Sequence, residues 1–154
     1  MNLKEREAQA CTIIDGIQDE LKSVSLFLHN NPELGQQEVR AVQTISSYME
    51  QHGFDTTVGL AKCPELRTAM RSDIGLDRLH KMAFLGEYDA LPELGHGCGH
   101  NLIAIMSMGA AIAFSQTARD TWGTTFFGCP AEETIGGKVF MANEGLFHGY
   151  DGAL

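Results

Sequence analysis

Between residues 96 and 100 the chain reads His96-Gly97-Cys98-Gly99-His100, a thiol set between two imidazoles with a glycine on either side of it. The freedom of glycine in φ lets so short a backbone turn all three side chains toward one point. Thiolate and imidazole are preferred donors for zinc and related divalent ions, and carboxylates complete many catalytic sites. By itself the stretch also reads as a glycine-rich turn with surface histidines and a buried cysteine. A second segment adds weight to the first reading, because Glu132-Glu133 directly follows an apolar run and Pro130. Of two adjacent acids, one can bind a metal while the other handles a proton. A divalent ion lowers the pKa of the water it binds from about 15.7 towards about 7, and a neighbouring carboxylate can take the proton as that water attacks a carbonyl. Taken alone, the two glutamates read as solvated residues in the first turn of a helix, where acids complement the macrodipole.

Elements that would position these residues are visible in the hydrophobic pattern. Ala10, Ile13, Ile14, Ile17, Leu21, Val24 and Leu28 recur at three- and four-residue steps and predict an amphipathic helix that stops before Asn30-Asn31-Pro32. A second helix is expected from about Gln36, with Val39, Val42, Ile45 and Met49 on one face and His52-Gly53 as its stop. Phe54 to Val58 alternates as a strand. Leu66 to Arg71 and Met82 to Leu85 are short strand candidates on either side of a turn in the polar Ser72 to Lys81 segment. Asn101 is placed to cap a helix from Leu102 to about Gln116 that is apolar all round, as expected of a helix buried on most sides. Gly123 to Gly128 is the next strand, Gly136-Gly137 opens a helix through Asn143 that Gly145 ends, and Tyr150 to Leu154 begins another strand. Helices alternating with short apolar strands predict an α/β sandwich around a mainly parallel sheet. In open sheets of that kind, ligands gather beyond the carboxyl ends of the strands. The stretches Glu87 to Asn101 and Cys129 to Thr134 each follow a strand and are expected at one mouth.

The chain has 154 residues, 44% hydrophobic and 20% charged, which suits a single domain whose core needs neither disulfides nor a structural metal to fold. A metal therefore needs a chemical reason. Eleven Lys and Arg against twenty Asp and Glu give a net charge of −9 with no basic run, so nucleic acid and anionic membranes are poor partners. The apolar stretch from Leu102 to Phe114 is broken by Ser107 and Gly109 and is too short to span a bilayer, and the charged start MNLKEREAQA lacks the apolar core of a secretory signal. The expected location is the cytoplasm. Cysteines 11, 63, 98 and 129 show no C-x-x-C spacing and are expected as four separate thiols. No G-x-S-x-G or P-loop pattern points to serine-hydrolase or nucleotide chemistry.

Several motifs stand in order almost from end to end: Leu28-His29-Asn30-Asn31-Pro32-Glu33-Leu34, Glu87-Tyr88-Asp89-Ala90-Leu91-Pro92, Gly95-His96-Gly97-Cys98-Gly99-His100-Asn101, Pro130-Ala131-Glu132-Glu133-Thr134 and Gly136-Gly137-Lys138. Through them the chain resembles the two-metal metallopeptidases of the aminoacylase and dipeptidase family, specifically the amidohydrolase branch with its aminobenzoyl-glutamate hydrolase-like and dipeptidase-like members. The resemblance implies a partial zinc-peptidase-like α/β sandwich, residues 1–154 being the N-terminal part of a catalytic domain with the lid and dimerisation domain absent. It implies Cys98, His100 and Glu133 as ligands in a centre of two divalent ions, zinc or manganese. Glu132 and Asp89 would be the catalytic pair, Glu132 as general base for the attacking water and Asp89 behind the ligands. The implied reaction is hydrolysis of amide bonds in N-acyl amino acids or small peptides, and the implied partners are a small-molecule amide or dipeptide substrate and, in the complete protein, a second copy in a homodimer.

The family pattern also places further histidine ligands beyond Leu154, so this chain alone is expected to be an incomplete, inactive fragment. Gly97 stands where the family more often has Ala, Asn101 where many members of the branch carry Asp, and Cys129 where a small or β-branched residue is usual. Two other readings stay open at this point: a non-catalytic metal-binding or interaction remnant, and a thiol enzyme using Cys98 and His100. His29 reads as structural, Tyr88 as a packing or pocket-lining residue, and His96 as a neighbour of the metal or of a substrate carboxylate without being a ligand. His52, His80 and His148 read as surface or cap residues.

Overall fold

In the computed structural model, which describes residues 2–154, the chain opens on helix α1, Leu3–Asn30. Asn2 caps it reciprocally: its side chain accepts from the Glu5 N–H at 3.0 Å, and the Glu5 carboxylate accepts from the Asn2 N–H at 2.9 Å. The sequence stripe buries Leu21, Val24 and Leu28, and the helix ends just ahead of Asn31-Pro32. Helix α2, Val39–Gln51, starts later than its hydrophobic spacing predicted, because Gln36 takes a left-handed φ of 67° and Glu38 occupies the N-cap. Strands β1, Asp55–Val58, and β2, Met70–Ile74, follow, with a short 3-10 turn at Pro64–Leu66 between them. Strand β3, His80–Glu87, leads to helix α3, His100–Thr117, and strand β4, Trp122–Cys129, to helix α4, Gly137–Asn143. Strand β5 is Gly152–Ala153.

The sheet order is β1-β2-β4-β3-β5. Its parallel pairings, β3 with β4 and β3 with β5, form the half that carries the candidate residues, while β1–β2 and β2–β4 are antiparallel. The sheet is therefore mixed, and the chain path explains why. A helix-long crossover through α3 brings β4 back parallel to β3. The short connection after β2 reverses the chain into β3, so β4, inserted between them, must run against β2. The strand expected at Leu66 to Arg71 lies a few residues later because Leu66 and Ala69 are spent on packing beneath α4. Ser72 and Asp73, read as turn residues from their polarity, sit inside β2. Cross-strand partners satisfy them: the Ser72 hydroxyl bonds the Thr56 hydroxyl at 2.8 Å, and Asp73 accepts from Thr125 at 2.6 Å.

Alternate residues of the central strands feed two cores, as the pleat requires. Phe84 and Phe126 pack with buried residues of α1, α2 and α3 on one face, and Ala83, Phe127 and Cys129 with Leu66 and Met141 on the other. Helix α3 is apolar all round because it lies between α1 and the sheet. Among the described residues no helix is long and apolar enough to cross a membrane.

Candidate metal centre

Strand β3 ends at Glu87, and the next two residues turn inward. Tyr88 is fully buried and its hydroxyl donates to the Thr68 carbonyl at 2.5 Å. Asp89, 1% exposed, is one of the few buried carboxylates, so its two oxygens must find donors. They do so on two separate segments. Oδ1 lies 3.0 Å from His100 Nδ1, and Oδ2 accepts from the Glu133 N–H at 3.0 Å. His100 Nδ1 is also 2.9 Å from the Asp89 carbonyl. Two acceptors at Nδ1 put the proton there, which leaves the Nε2 lone pair of a neutral imidazole free. That nitrogen faces Glu133 Oε1 at 3.5 Å.

The electrostatics follow from these bonds. Burial pushes the Asp89 carboxyl up, but its bonds to His100 and to the N–H groups of Glu133 and Glu132 outweigh this and hold it below the usual carboxylate range. The bond to Asp89 holds His100 above its ordinary value against the effect of burial.

His100 is delivered by the start of α3. The N-cap is Gly99, with φ 79°, rather than Asn101. Asn101 is buried instead, and its amide donates to the Ser25 hydroxyl at 3.1 Å, tying α3 to α1. At the end of β4, Ala131 takes φ 56° and the chain turns out to Glu132 and Glu133, both exposed. One ligand atom each from His100, Glu132 and Glu133 lies within 4.8 Å of the others. Cys98 lies outside that group on the exposed loop before α3, beside Glu133, whose carboxylate pushes the thiol up. This is the opposite of the lowered pKa that a thiol nucleophile needs. His96 is half-buried, with Nδ1 enclosed and without a hydrogen-bond partner, and burial with the nearby His100 pushes its pKa down. Lys138 at the start of α4 pairs with Glu87 at the end of β3. Glu38, fully buried, binds the Ala131 N–H. Sequence reading passed over it, and the only local signal was an acid just ahead of an apolar helical stripe.

The donor chemistry fits a divalent ion. Two ligands each about 2.0–2.2 Å from a tetrahedral ion stand roughly 3.3–3.6 Å apart. The 3.5 Å between His100 Nε2 and Glu133 Oε1 matches that spacing and is too long for a direct hydrogen bond of any strength.

No family model matches the chain. A p-aminobenzoyl-glutamate hydrolase of Escherichia coli is 34% identical to it over 145 residues, covering 81% of this chain and 29% of that protein. The Xaa-Arg dipeptidase of Mus musculus is 34% identical over 160 residues, covering 97% of this chain and 36% of that protein. The chain belongs to the amidohydrolase and dipeptidase-like metallopeptidases. Its fold matches that of a dinuclear metal-binding peptidase from the M20 family of Bacillus subtilis with a TM-score of 0.76, at 24% identity over 90% of this chain and 42% of that one. This metallopeptidase chain spans about a third of the length of the curated relatives it matches.

Proposed function

We propose that the chain contributes ion-binding and proton-handling residues to a metal-dependent hydrolase that cleaves amide bonds in N-acyl amino acids or small peptides. The observation that carries this reading is the buried Asp89 carboxylate, which bonds both His100 Nδ1 and the Glu133 N–H and leaves His100 Nε2 facing the two glutamates. Cys98, His100 and Glu133 would hold a divalent ion, zinc or manganese. Bound there, such an ion supplies positive charge that acidifies water and polarises an amide carbonyl. Glu132 accepts the proton of the attacking water and returns it to the departing amine, a task that suits a carboxylate open to solvent at the rim of the site. Asp89 acts through His100, fixing its tautomer and the direction of its free nitrogen.

In this reading, residues 1–154 are the N-terminal part of a catalytic domain. The complete protein holds two ions and forms a homodimer. It works in the cytoplasm, where the free thiol of Cys98 stays reduced.

Calorimetric titration of zinc and manganese into the chain and into Cys98→Ala, His100→Ala and Glu133→Ala tests the assignment. Each substitution removes one donor, so affinity is expected to fall by roughly tenfold or more in each. Unchanged stoichiometry and affinity in all three would remove the metal reading.

A further inference from the structure

The segment joining α1 to α2 has no role in the chemistry above, yet it touches both loops that carry it. The Ala90 N–H, next to Asp89, donates to the Glu33 carbonyl at 2.8 Å, and Leu34 pairs with Ala90 in an isolated parallel bridge. Further along, Glu38 reaches the loop after β4. Its Oε1 accepts from the Ala131 N–H at 2.7 Å, and its Oε2 from the Thr68 hydroxyl at 2.8 Å. Glu38 is fully buried, so these two donors replace water around the carboxylate.

Ala131 needs such a hold. Its φ of 56° lies in the left-handed region that residues with a Cβ seldom occupy, and it persists only where the surroundings fix it. Its carbonyl accepts from the N–H groups of Ile135 at 3.2 Å and Gly136 at 3.0 Å, so the turn carrying both glutamates closes on this residue. Gly35 presses on the same point: a Cβ there would stand 3.0 Å from Ala131 Cα and collide with the Thr134 hydroxyl. Glu132 and Glu133 are the next two residues of the turn.

We propose that Glu38 is a positioning residue whose buried carboxylate fixes the Ala131 turn and thereby aims Glu132 and Glu133 at His100. The role deepens the metallohydrolase reading and rests on it for the consequence in ion binding, but not for the geometry of the turn. Truncating Glu38 leaves the Ala131 N–H and the Thr68 hydroxyl buried without an acceptor, a cost the turn relieves by leaving its left-handed conformation. Glutamine keeps both bonds: its carbonyl accepts from Ala131, and its amide donates to the Thr68 oxygen, which can also act as acceptor.

The test compares Glu38→Ala, Glu38→Gln and, as a distant control in the core of α2, Met49→Ala. Amide NMR signals of Ala131 to Gly136 are read in the metal-free chain, and zinc affinity is read by calorimetry. Glu38→Ala is expected to move those signals and to weaken zinc binding by roughly tenfold or more. Glu38→Gln should restore both, to within about threefold in affinity. Met49→Ala should lower thermal stability while leaving both readouts in place. A folded Glu38→Ala chain with unmoved signals and unchanged zinc affinity would overturn the proposal, as would a Glu38→Gln chain that behaves like the alanine variant. If Glu38→Ala does not fold, Thr68→Val serves instead, since it frees one carboxylate oxygen while keeping Glu38, and unmoved Ala131 and Glu133 signals then count against the role. Absence of zinc binding by the unsubstituted chain would defeat the metallohydrolase reading, whereas the metal-free signals would still decide the role of Glu38.

Discussion

At the scale of single residues, the site depends on how two kinds of carboxylate are treated. Asp89 and Glu38 are buried, and each spends both oxygens on donors from distant segments. Glu132 and Glu133 are exposed and are presented by the structure that the buried pair holds. This division separates positioning from chemistry and yields a direct prediction. Glu132→Gln keeps the size and polarity of the side chain but cannot accept a proton. In the complete enzyme, hydrolysis of N-acyl amino acids should therefore fall by roughly a hundredfold or more, with bound zinc unchanged. Initial rates together with metal analysis check it, and near-normal turnover would move the base elsewhere.

At the scale of elements, the ends of β3 and β4 are held in register by close packing. A Cβ on Gly128 would run into the Met70 side chain and stand 2.9 Å from Tyr88 Cε1. Tyr88 cannot yield, because it is fully buried and its hydroxyl is tied to the Thr68 carbonyl. Gly128→Ala should therefore destabilise the chain by about 1–3 kcal/mol, measured by urea unfolding. On the other side of β3, Asp151 pins β5: its carboxylate accepts from the Lys81 N–H at 2.8 Å and faces His80 Nδ1 at 3.5 Å. The bond to Lys81, with His80 adding to it, holds the Asp151 carboxyl below its ordinary 3.8. A carboxyl depressed by folding stabilises the folded chain above its unfolded pKa, and that contribution is lost as pH falls through the lower folded value. Asp151→Ala should thus melt earlier than the unsubstituted chain at neutral pH. The gap should close below roughly pH 3, and thermal melts across that range would show it.

At the scale of the whole molecule, the acidic chain, with a net charge of −9, places one group of metal-capable donors at the mouth formed by β3 and β4: His100, Glu132 and Glu133. Three such donors, or four with Cys98, fall short of what two four-coordinate ions require. The isolated chain is therefore expected to bind a single ion weakly and to hydrolyse amides several powers of ten more slowly than a complete enzyme, since orientation and charge stabilisation are mostly missing. Assays with zinc, manganese or cobalt on N-acyl amino acids, aminobenzoyl-glutamate and dipeptides would measure this. Robust, chelator-sensitive turnover by the 154-residue chain would contradict it.

The sequence by itself determined the features that depend on near neighbours. The three-to-four-residue stripe of α1 and the His52-Gly53 stop of α2 are local contrasts between apolar and polar positions, and the all-apolar α3 signals burial on every side. The ordered motifs likewise carried the family and located the two chemistry-bearing stretches after β3 and β4. Tertiary structure decided what depends on partners far away in the chain. Asn101 looks like a helix cap from its neighbours, but its amide is spent on Ser25, 76 residues away. Ser72 and Asp73 look like turn residues until β1 and β4 supply their hydrogen bonds. The Asp89 bond to the Glu133 N–H spans 44 residues, and the Glu38 bond to the Ala131 N–H spans 93. Periodicity records which side of an element is dry, because that follows from residues a turn or a pleat apart. The donor that meets a buried carboxylate is fixed only when separate segments pack and exclude water together, which leaves no local trace.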